Sequence, residues 1–226
     1  MARRRRTWCR RRASSSTRCR RKACWAAPKH FPGHGDTAVD SHYSLPVIDV
    51  DPRTFRSREL EAFRHFNDAQ TRMIMTAHIV ISQIDPGIPA TMSKVILQDI
   101  LRKELGYEGV VVSDDLGMKA ISDRLDKPET TIRIINAGCD LLCMCAYWAD
   151  TEVILRMIDF MSAGLKAGEI KERALEQSFT RVAGLLSDLP NHKVEVLEEE
   201  TFQRHASVAP LRARSLPANH GGATKI

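Results

Sequence analysis

The chain has 226 residues, enough for one large domain or two small ones, and its 43% hydrophobic and 27% charged residues are typical of a globular protein. No apolar run reaches the length of about 18 residues that a membrane-spanning helix needs, so the sequence predicts none. The formal net charge of +6 is concentrated at one end. Residues 1–22 carry ten Arg and one Lys without an acidic residue, whereas the other 204 residues have 23 basic and 28 acidic side chains, a net charge of −5.

Residues 1–25 form an Arg-rich segment with too little apolar surface to fold, and we expect them to be disordered. Dense Arg clusters can bind nucleic acid, and a composition rich in Arg and Ser without acids is also typical of organellar transit peptides. The composition changes abruptly near Ala26. We therefore favour a third interpretation, in which a mis-called start or a reading-frame error precedes the true coding segment, and nucleic acid is not the partner we expect.

The six cysteines fall into two groups, and neither group has the CxxC spacing of a zinc site. Three lie in or beside the Arg-rich segment, and Cys139, Cys143 and Cys145 lie close together in the body of the chain. The run CDLLCMC is typical of a buried strand, in which Cys acts as a small hydrophobic residue. Free thiols of this kind suit a reducing compartment.

The hydrophobic pattern between residues 59 and 187 predicts an alternation of helices and strands. We predict helices over 59–69, 94–105, 131–138, 150–163 and 169–187, a short helix after Gly117, and strands over 73–81, 109–115 and 140–145. Ser93 is a predicted N-cap, and Gly106 and Gly138 are predicted helix ends. Strands separated by helices indicate β/α units with a parallel sheet. Residues 191–226 are polar and patternless and are expected to form an extended or disordered tail.

A polar stretch, KHFPGHGDTAVDSHYSLP at residues 29–46, carries three histidines, two aspartates and Lys29 around Gly33 and Gly35. The glycines permit a tight or mobile loop, so the stretch predicts a ligand-binding loop, with a satisfied polar turn as the alternative. The His spacing matches no compact metal-ligand pattern, and we predict no metal. We expect His34 to stabilise this loop, and His78 in the later run TAHI to make a buried hydrogen bond.

A second stretch, VVVSDDLGM at residues 110–118, places two aspartates at the end of a strand. Catalytic carboxylates of β/α barrels occur at such strand ends. Successive side chains of a strand point to opposite faces, so only one of Asp114 and Asp115 can face the pocket. We expect the other to be structural, with Asp115 as the N-cap of the following helix.

The motifs KHFPGHGDT, DSH, MTAHI, PATMS, GVVVSDDLGMKAI and AGCDLLCM, in that order, resemble the family 3 glycoside hydrolases, in particular bacterial β-N-acetylglucosaminidases of peptidoglycan recycling. The resemblance runs from about Lys29 to Pro190. It implies an α/β fold, the TIM-type (β/α)8 barrel, of which residues 26–190 would be the C-terminal half. The first four β/α units would be missing, because residues 23–28 lie where the fifth strand belongs and lack a strand pattern.

The resemblance also assigns roles to residues that match the family's motifs. Asp114 matches the nucleophile that forms a covalent glycosyl-enzyme, and His42 with Asp40 matches an acid/base dyad. Lys29 and His30 match residues that bind sugar hydroxyls, and Met118 matches a position that lines the pocket. Histidine titrates near neutrality, so one imidazole can donate a proton in the first step and accept one in the second.

The sequence therefore predicts a retaining exo-β-N-acetylglucosaminidase that releases terminal N-acetylglucosamine from muropeptides in the cytoplasm, without a cofactor. Half a barrel exposes sheet edges, so we expect impaired activity and possible self-association through these edges. The alternative is a non-catalytic remnant whose basic arm binds nucleic acid or another chain.

Overall fold

The computed structural model describes residues 26–68, 71–145 and 151–187. The disorder predicted for residues 1–25 and the tail predicted for residues 191–226 lie outside these described residues. Within them, no helix combines the length and the apolar character needed to cross a membrane.

The described strands form two parallel sheets. The strands are β1 (Val47–Ile48), β2 (Met73–Met75), β3 (Val80–Ile81), β4 (Val110–Asp115) and β5 (Leu141–Cys143). In the larger sheet, β4 lies between β2 and β5, and β1 pairs with β3 in the smaller one. The predicted α/β fold with parallel strands is thus confirmed.

A short segment around Phe31 extends the larger sheet beside β2. The amide of Phe31 donates to the carbonyl of Met75 at 2.8 Å, and the amide of Met75 donates to the carbonyl of Pro28 at 3.1 Å. Residues 26–28 are not a strand, as expected, yet Phe31 makes a parallel bridge with Thr76. The order Phe31 segment, β2, β4, β5 follows the chain, as it does in consecutive β/α units.

The first helical region begins earlier than the sequence predicts. It runs through Pro52–Thr54, a π-helical stretch Phe55–Glu59 and Leu60–Asp68, instead of beginning at residue 59. Asp51 is its N-cap, and its Oδ1 accepts hydrogen bonds at 3.0 Å from the amides of both Arg53 and Thr54. Proline at the first helical position and aspartate before it are standard start signals, which the apolar periodicity alone did not include.

The strand predicted over residues 73–81 is wrong as a single element. The chain leaves the larger sheet after β2 and enters the smaller one at β3, and the intervening Ala77, His78 and Ile79 are fully buried. Buried residues on both sides of the break keep the run apolar throughout. The pattern therefore could not show that the two halves belong to different sheets.

The remaining helical elements alternate with the strands along the chain. They are the 3-10 turn Ala90–Met92, the π-helix Val95–Glu104, and the α-helices Lys119–Ser122, Pro128–Ala137, Thr151–Lys166 and Glu172–Ser187. The hydroxyl of Ser93 accepts from the amide of Ile96 at 3.0 Å, as a capping serine does. Gly106 and Gly138 adopt left-handed backbone angles, with φ of 65° and 108°, and end the helices at the predicted places.

A buried carboxylate joins the elements at the amino ends of β4 and β5. Asp140, whose side chain is 0% exposed, accepts from Arg102 Nη2 at 2.8 Å and from the amide of Val111 at 2.8 Å through Oδ2. Its Oδ1 accepts from Ser178 at 2.6 Å and from Arg181 Nη2 at 2.9 Å. One side chain thus connects the π-helix Val95–Glu104, the sheet and the helix Glu172–Ser187.

We predict that Asp140→Ala lowers the free energy of unfolding by about 3–5 kcal/mol, because it leaves two guanidinium groups without their buried counter-ion. Urea denaturation followed by circular dichroism measures the change. The control is Asp123→Ala, which breaks an exposed ion pair with Lys119 and should leave stability within experimental error. A loss at Asp140 as small as the control's would contradict the role given to this carboxylate.

Candidate active site

Three ionisable side chains lie at the carboxyl edge of the larger sheet. His30 precedes the bridging Phe31, His78 follows β2, and Asp114 lies at the end of β4. His30 Nε2 lies 3.3 Å from Asp114 Oδ2, and these side chains are 26% and 15% exposed. The carboxylate is therefore held by the sheet and still reached by solvent, at the edge where β/α folds build their active sites.

The two adjacent aspartates of β4 differ in environment. Asp115 is 9% exposed, and its Oδ1 accepts from the amides of Gly117 at 2.9 Å and Cys145 at 3.0 Å. Asp115 is structural, as expected, but its predicted role as an N-cap is wrong. Met118 occupies the N-cap position of the helix Lys119–Ser122. The Asp115 carboxylate instead accepts hydrogen bonds from the turn before that helix and from the chain after β5.

Asp40 and His42 form a hydrogen-bonded pair in a tight turn. Asp40 Oδ1 accepts from the backbone amide of His42 at 2.9 Å and lies 2.8 Å from its Nδ1. These two hydrogen bonds, that of the backbone first, lower the pKa of Asp40, so the carboxylate stays charged. Because a carboxylate only accepts, Nδ1 carries a proton, and Nε2 is left to exchange one.

The turn that carries this pair is attached to the chain just beyond Asp114. The carbonyl of Ser41 accepts from the amide of Ala120 at 3.3 Å, in the helix that follows β4. His34 Nε2 lies 3.3 Å from the Ser41 hydroxyl, and His34 Nδ1 lies 3.0 Å from the Thr37 hydroxyl. His34 therefore stabilises the loop, as the sequence analysis expected.

The structure thus arranges four of the predicted site residues as two pairs. His30 contacts Asp114 at the sheet edge, while His42 contacts Asp40 on the loop, where both side chains are more than half exposed. The Ser41 backbone connects the loop to the element after Asp114.

Two further predicted residues flank the site. Lys29 is exposed beside His30, and Met118 is buried with its amide bonded to the carbonyl of Asp115 at 3.0 Å. Burial lowers the pKa of His30; Asp114 opposes this shift, and the positive charge of Lys29 reinforces it. His30 is thus neutral near pH 7. Within the described part of the chain, no three His, Cys, Asp or Glu side chains cluster in a way that could hold a metal ion.

Behind the site lies a buried polar cluster that the sequence analysis largely missed. The buried hydrogen bond predicted for His78 is confirmed, since His78 Nδ1 lies 2.8 Å from Thr91 Oγ1 and Nε2 lies 3.1 Å from the carbonyl of Asp115. The partner Thr91, and Thr76 at 2.9 Å from it, were not identified. Both lie in motifs, PATMS and MTAHI, that marked the resemblance without suggesting contact.

A carboxylate, histidines and a histidine-bearing loop at the carboxyl edge of a parallel sheet are arranged as in the active sites of β/α enzymes. Residues 15–185 match the glycosyl hydrolase family 3 N terminal domain. The chain belongs to glycoside hydrolase family 3, and the resemblance found in the sequence is confirmed.

Individual relatives agree with this membership. The chain is 38% identical over 180 residues to beta-hexosaminidase A of Pseudoalteromonas piscicida, covering 73% of this chain and 30% of that protein. It is 41% identical over 142 residues to the beta-hexosaminidase of Shewanella frigidimarina, covering 61% and 40% of the two chains.

A solved structure, that of a family 3 beta-N-acetylglucosaminidase from Paenibacillus sp. str. FPU-7, matches with a TM-score of 0.77 at 31% identity. The match covers 83% of this chain and 36% of that one. The chain thus spans well under half the length of these relatives.

His30, which is partly buried, and His78, which is fully buried, predict how stability depends on pH. Burial lowers the pKa of both His30 and His78, so the unfolded state binds more protons as the pH falls below about 6.5, the ordinary pKa of histidine. We expect the free energy of unfolding to fall with pH in that range and the slope to be shallower in His78→Gln. Urea denaturation at pH 7.5, 6.5 and 5.5 measures both slopes, and parallel slopes would contradict the prediction.

Proposed function

We propose that this chain carries the catalytic residues of a retaining exo-β-N-acetylglucosaminidase. The observation that supports this proposal best is the placement of Asp114: a solvent-accessible carboxylate at a rigid strand end, 3.3 Å from His30 and next to the loop that bears the Asp40–His42 pair. Hydrolysis with retention requires a nucleophilic carboxylate and a separate group that exchanges protons.

In the first step, Asp114 attacks the anomeric carbon of the terminal sugar, and the bond from this carbon to the leaving oxygen breaks. The protonated His42 gives its Nε2 proton to the leaving oxygen, so the aglycone departs as a neutral alcohol. Asp40 stabilises the imidazolium before the transfer and orients the ring through Nδ1. The products of this step are the free aglycone and a covalent sugar ester of Asp114.

In the second step, water opens the ester. Neutral His42 accepts a proton from water at Nε2 as the water oxygen attacks the anomeric carbon, and Asp114 leaves as a carboxylate. Two inversions at the same carbon give overall retention. Because the pair lies on an exposed loop, we infer that the loop closes over bound sugar to bring His42 to the leaving oxygen.

The names of the relatives support a proposed substrate class. Relatives named beta-hexosaminidase and beta-N-acetylglucosaminidase support a substrate with a terminal N-acetylglucosamine, and the resemblance to recycling enzymes favours muropeptides in the cytoplasm. Lys29 is exposed and His30 is neutral beside the nucleophile, which suits hydrogen bonding to sugar hydroxyls. Met118 is proposed to line the sugar pocket after a small movement, since it is buried here.

We predict that Asp114→Asn abolishes release of nitrophenol from an aryl β-N-acetylglucosaminide, because an amide is too weak a nucleophile to form the glycosyl-enzyme. The assay uses the whole chain, and NMR identifies which anomer of the released sugar the wild type forms first. Asp123→Asn, which removes an exposed carboxylate of the same type, should leave turnover unchanged. Substantial residual activity in Asp114→Asn, or an α-anomer as first product, would refute the assignment.

We predict that His42→Ala lowers kcat by about 10²- to 10⁴-fold, because it removes the proton donor and acceptor. Activated aryl leaving groups need little protonation, so the loss should be smaller for them than for alkyl leaving groups. Azide, a nucleophile that needs no general base, should restore turnover and yield the β-glycosyl azide.

The matched control for this variant is His65→Gln on the helix Leu60–Asp68, which should retain normal rates. Asp40→Asn should show a partial loss of the same kind, because the ring then lacks its charged partner. A His42→Ala variant with unchanged kinetics towards both leaving groups would remove His42 from the mechanism.

A further inference from the structure

Behind Asp114, the imidazole of His78 is 0% exposed and bonded through both nitrogens. Its Nε2 lies 3.1 Å from the main-chain carbonyl of Asp115, the residue after the proposed nucleophile. Its Nδ1 lies 2.8 Å from the hydroxyl of Thr91. The mechanism proposed above does not use His78, so these contacts require a separate explanation.

The partners of the ring determine which nitrogen carries the proton. A carbonyl oxygen only accepts, so Nε2 must donate to Asp115. In a neutral imidazole, Nδ1 is then the acceptor, and the Thr91 hydroxyl donates to it. The Thr76 hydroxyl, 2.9 Å from Thr91 Oγ1, is placed to donate in turn. Thr76, Thr91, His78 and the Asp115 carbonyl therefore form one chain of hydrogen bonds with a single direction.

The competing arrangement needs a charged ring. If His78 were an imidazolium, both nitrogens would donate, and the Thr91 hydroxyl would turn its proton to the carbonyl of Ala77, 3.1 Å away. Burial lowers the pKa of His78 despite the nearby Asp114 and Asp115, which favours the neutral ring at neutral pH. The neutral chain of hydrogen bonds is thus the one consistent with its burial.

This chain ends on the backbone that holds the nucleophile. The Asp115 carboxylate holds the amides of Gly117 and Cys145, and the amide of Leu116 donates to the carbonyl of Cys143 at 2.9 Å. The fully buried His78 bonds the Asp115 carbonyl. The backbone on the C-terminal side of Asp114 is thereby held from β5 and from the end of β2.

We propose that His78 is a positioning residue for Asp114, acting as a neutral Nε2–H donor that Thr91 orients. The inference rests on the proposed function for its catalytic consequence, since it assumes that Asp114 is the nucleophile. It assigns no proton transfer to His78. Small displacements of reacting groups are costly, and a shift of about 1 Å can lower a rate about 10²-fold.

Two variants test the positioning role kinetically. His78→Leu removes both hydrogen bonds and should lower kcat by up to about 10²-fold, with little change in KM. His78→Gln keeps an amide donor near the place of Nε2 and should recover a clear part of that loss. Equal rates in His78→Leu and wild type, or an effect confined to KM, would overturn the proposal.

Two measurements on the whole chain test the positioning role without an activity assay. If the chain turned over no glucosaminide, that result would count against the proposed function alone, and these measurements would still test the inference. Nitrogen-15 NMR at pH 7 should show His78 as the neutral Nε2–H tautomer, and an Nδ1–H tautomer or an imidazolium would overturn the inference. In His78→Leu, hydrogen exchange should accelerate at the amides of Gly117 and Cys145. Val111 and Val112, in the core of β4, should stay protected, and a uniform loss of protection would indicate a merely structural role and overturn the proposal.

Discussion

The buried carboxylate of Asp140 is the constraint on which the larger sheet depends. It accepts from the guanidinium groups of Arg102 and Arg181 and from the backbone of Val111, and is itself 0% exposed. Arg102 also donates to the carbonyls of Tyr107 and Gly109, which lead into β4. A charge buried away from solvent must be paired. The helices that carry Arg102 and Arg181 therefore pack against the sheet so that both guanidinium groups reach the Asp140 carboxylate.

This network lies at the amino ends of the strands, and the proposed chemistry lies at their carboxyl ends. The separation matters because one edge can then be held by buried charges while the other keeps Asp114 accessible beside His30. The loop with Asp40 and His42 is attached to that edge through Ser41, and the side chains of both residues are more than half exposed. In the proposed mechanism, Asp114 stays fixed at the strand end while closure of the loop brings His42 to the bound sugar.

The sequence predicted the parallel sheet and the ends of several helices because these depend on local signals: apolar runs, glycines and a capping serine. It placed the first helix too late because the Asp51–Pro52 start signal lies outside the apolar periodicity. It merged β2 with β3 because both are buried. It predicted that Asp115 caps the following helix, whereas the Asp115 carboxylate binds the turn before that helix and the chain after β5. The hydrogen bond to the chain after β5 joins residues distant in sequence, and such bonds leave no local pattern.

The sequence by itself determined the family, the order of the β/α units and the identity of the candidate catalytic residues, because long motifs preserve the chemistry of a site. The Asp40–His42 pair, two residues apart, was expected from the sequence and is present. The tertiary structure alone decided the contacts between residues distant in sequence: it paired Asp114 with His30, and it placed Thr91 and His78 behind Asp114. The physical reason is that side chains far apart in sequence become neighbours only when the strands align in parallel, and the tautomer of a buried ring depends on those neighbours.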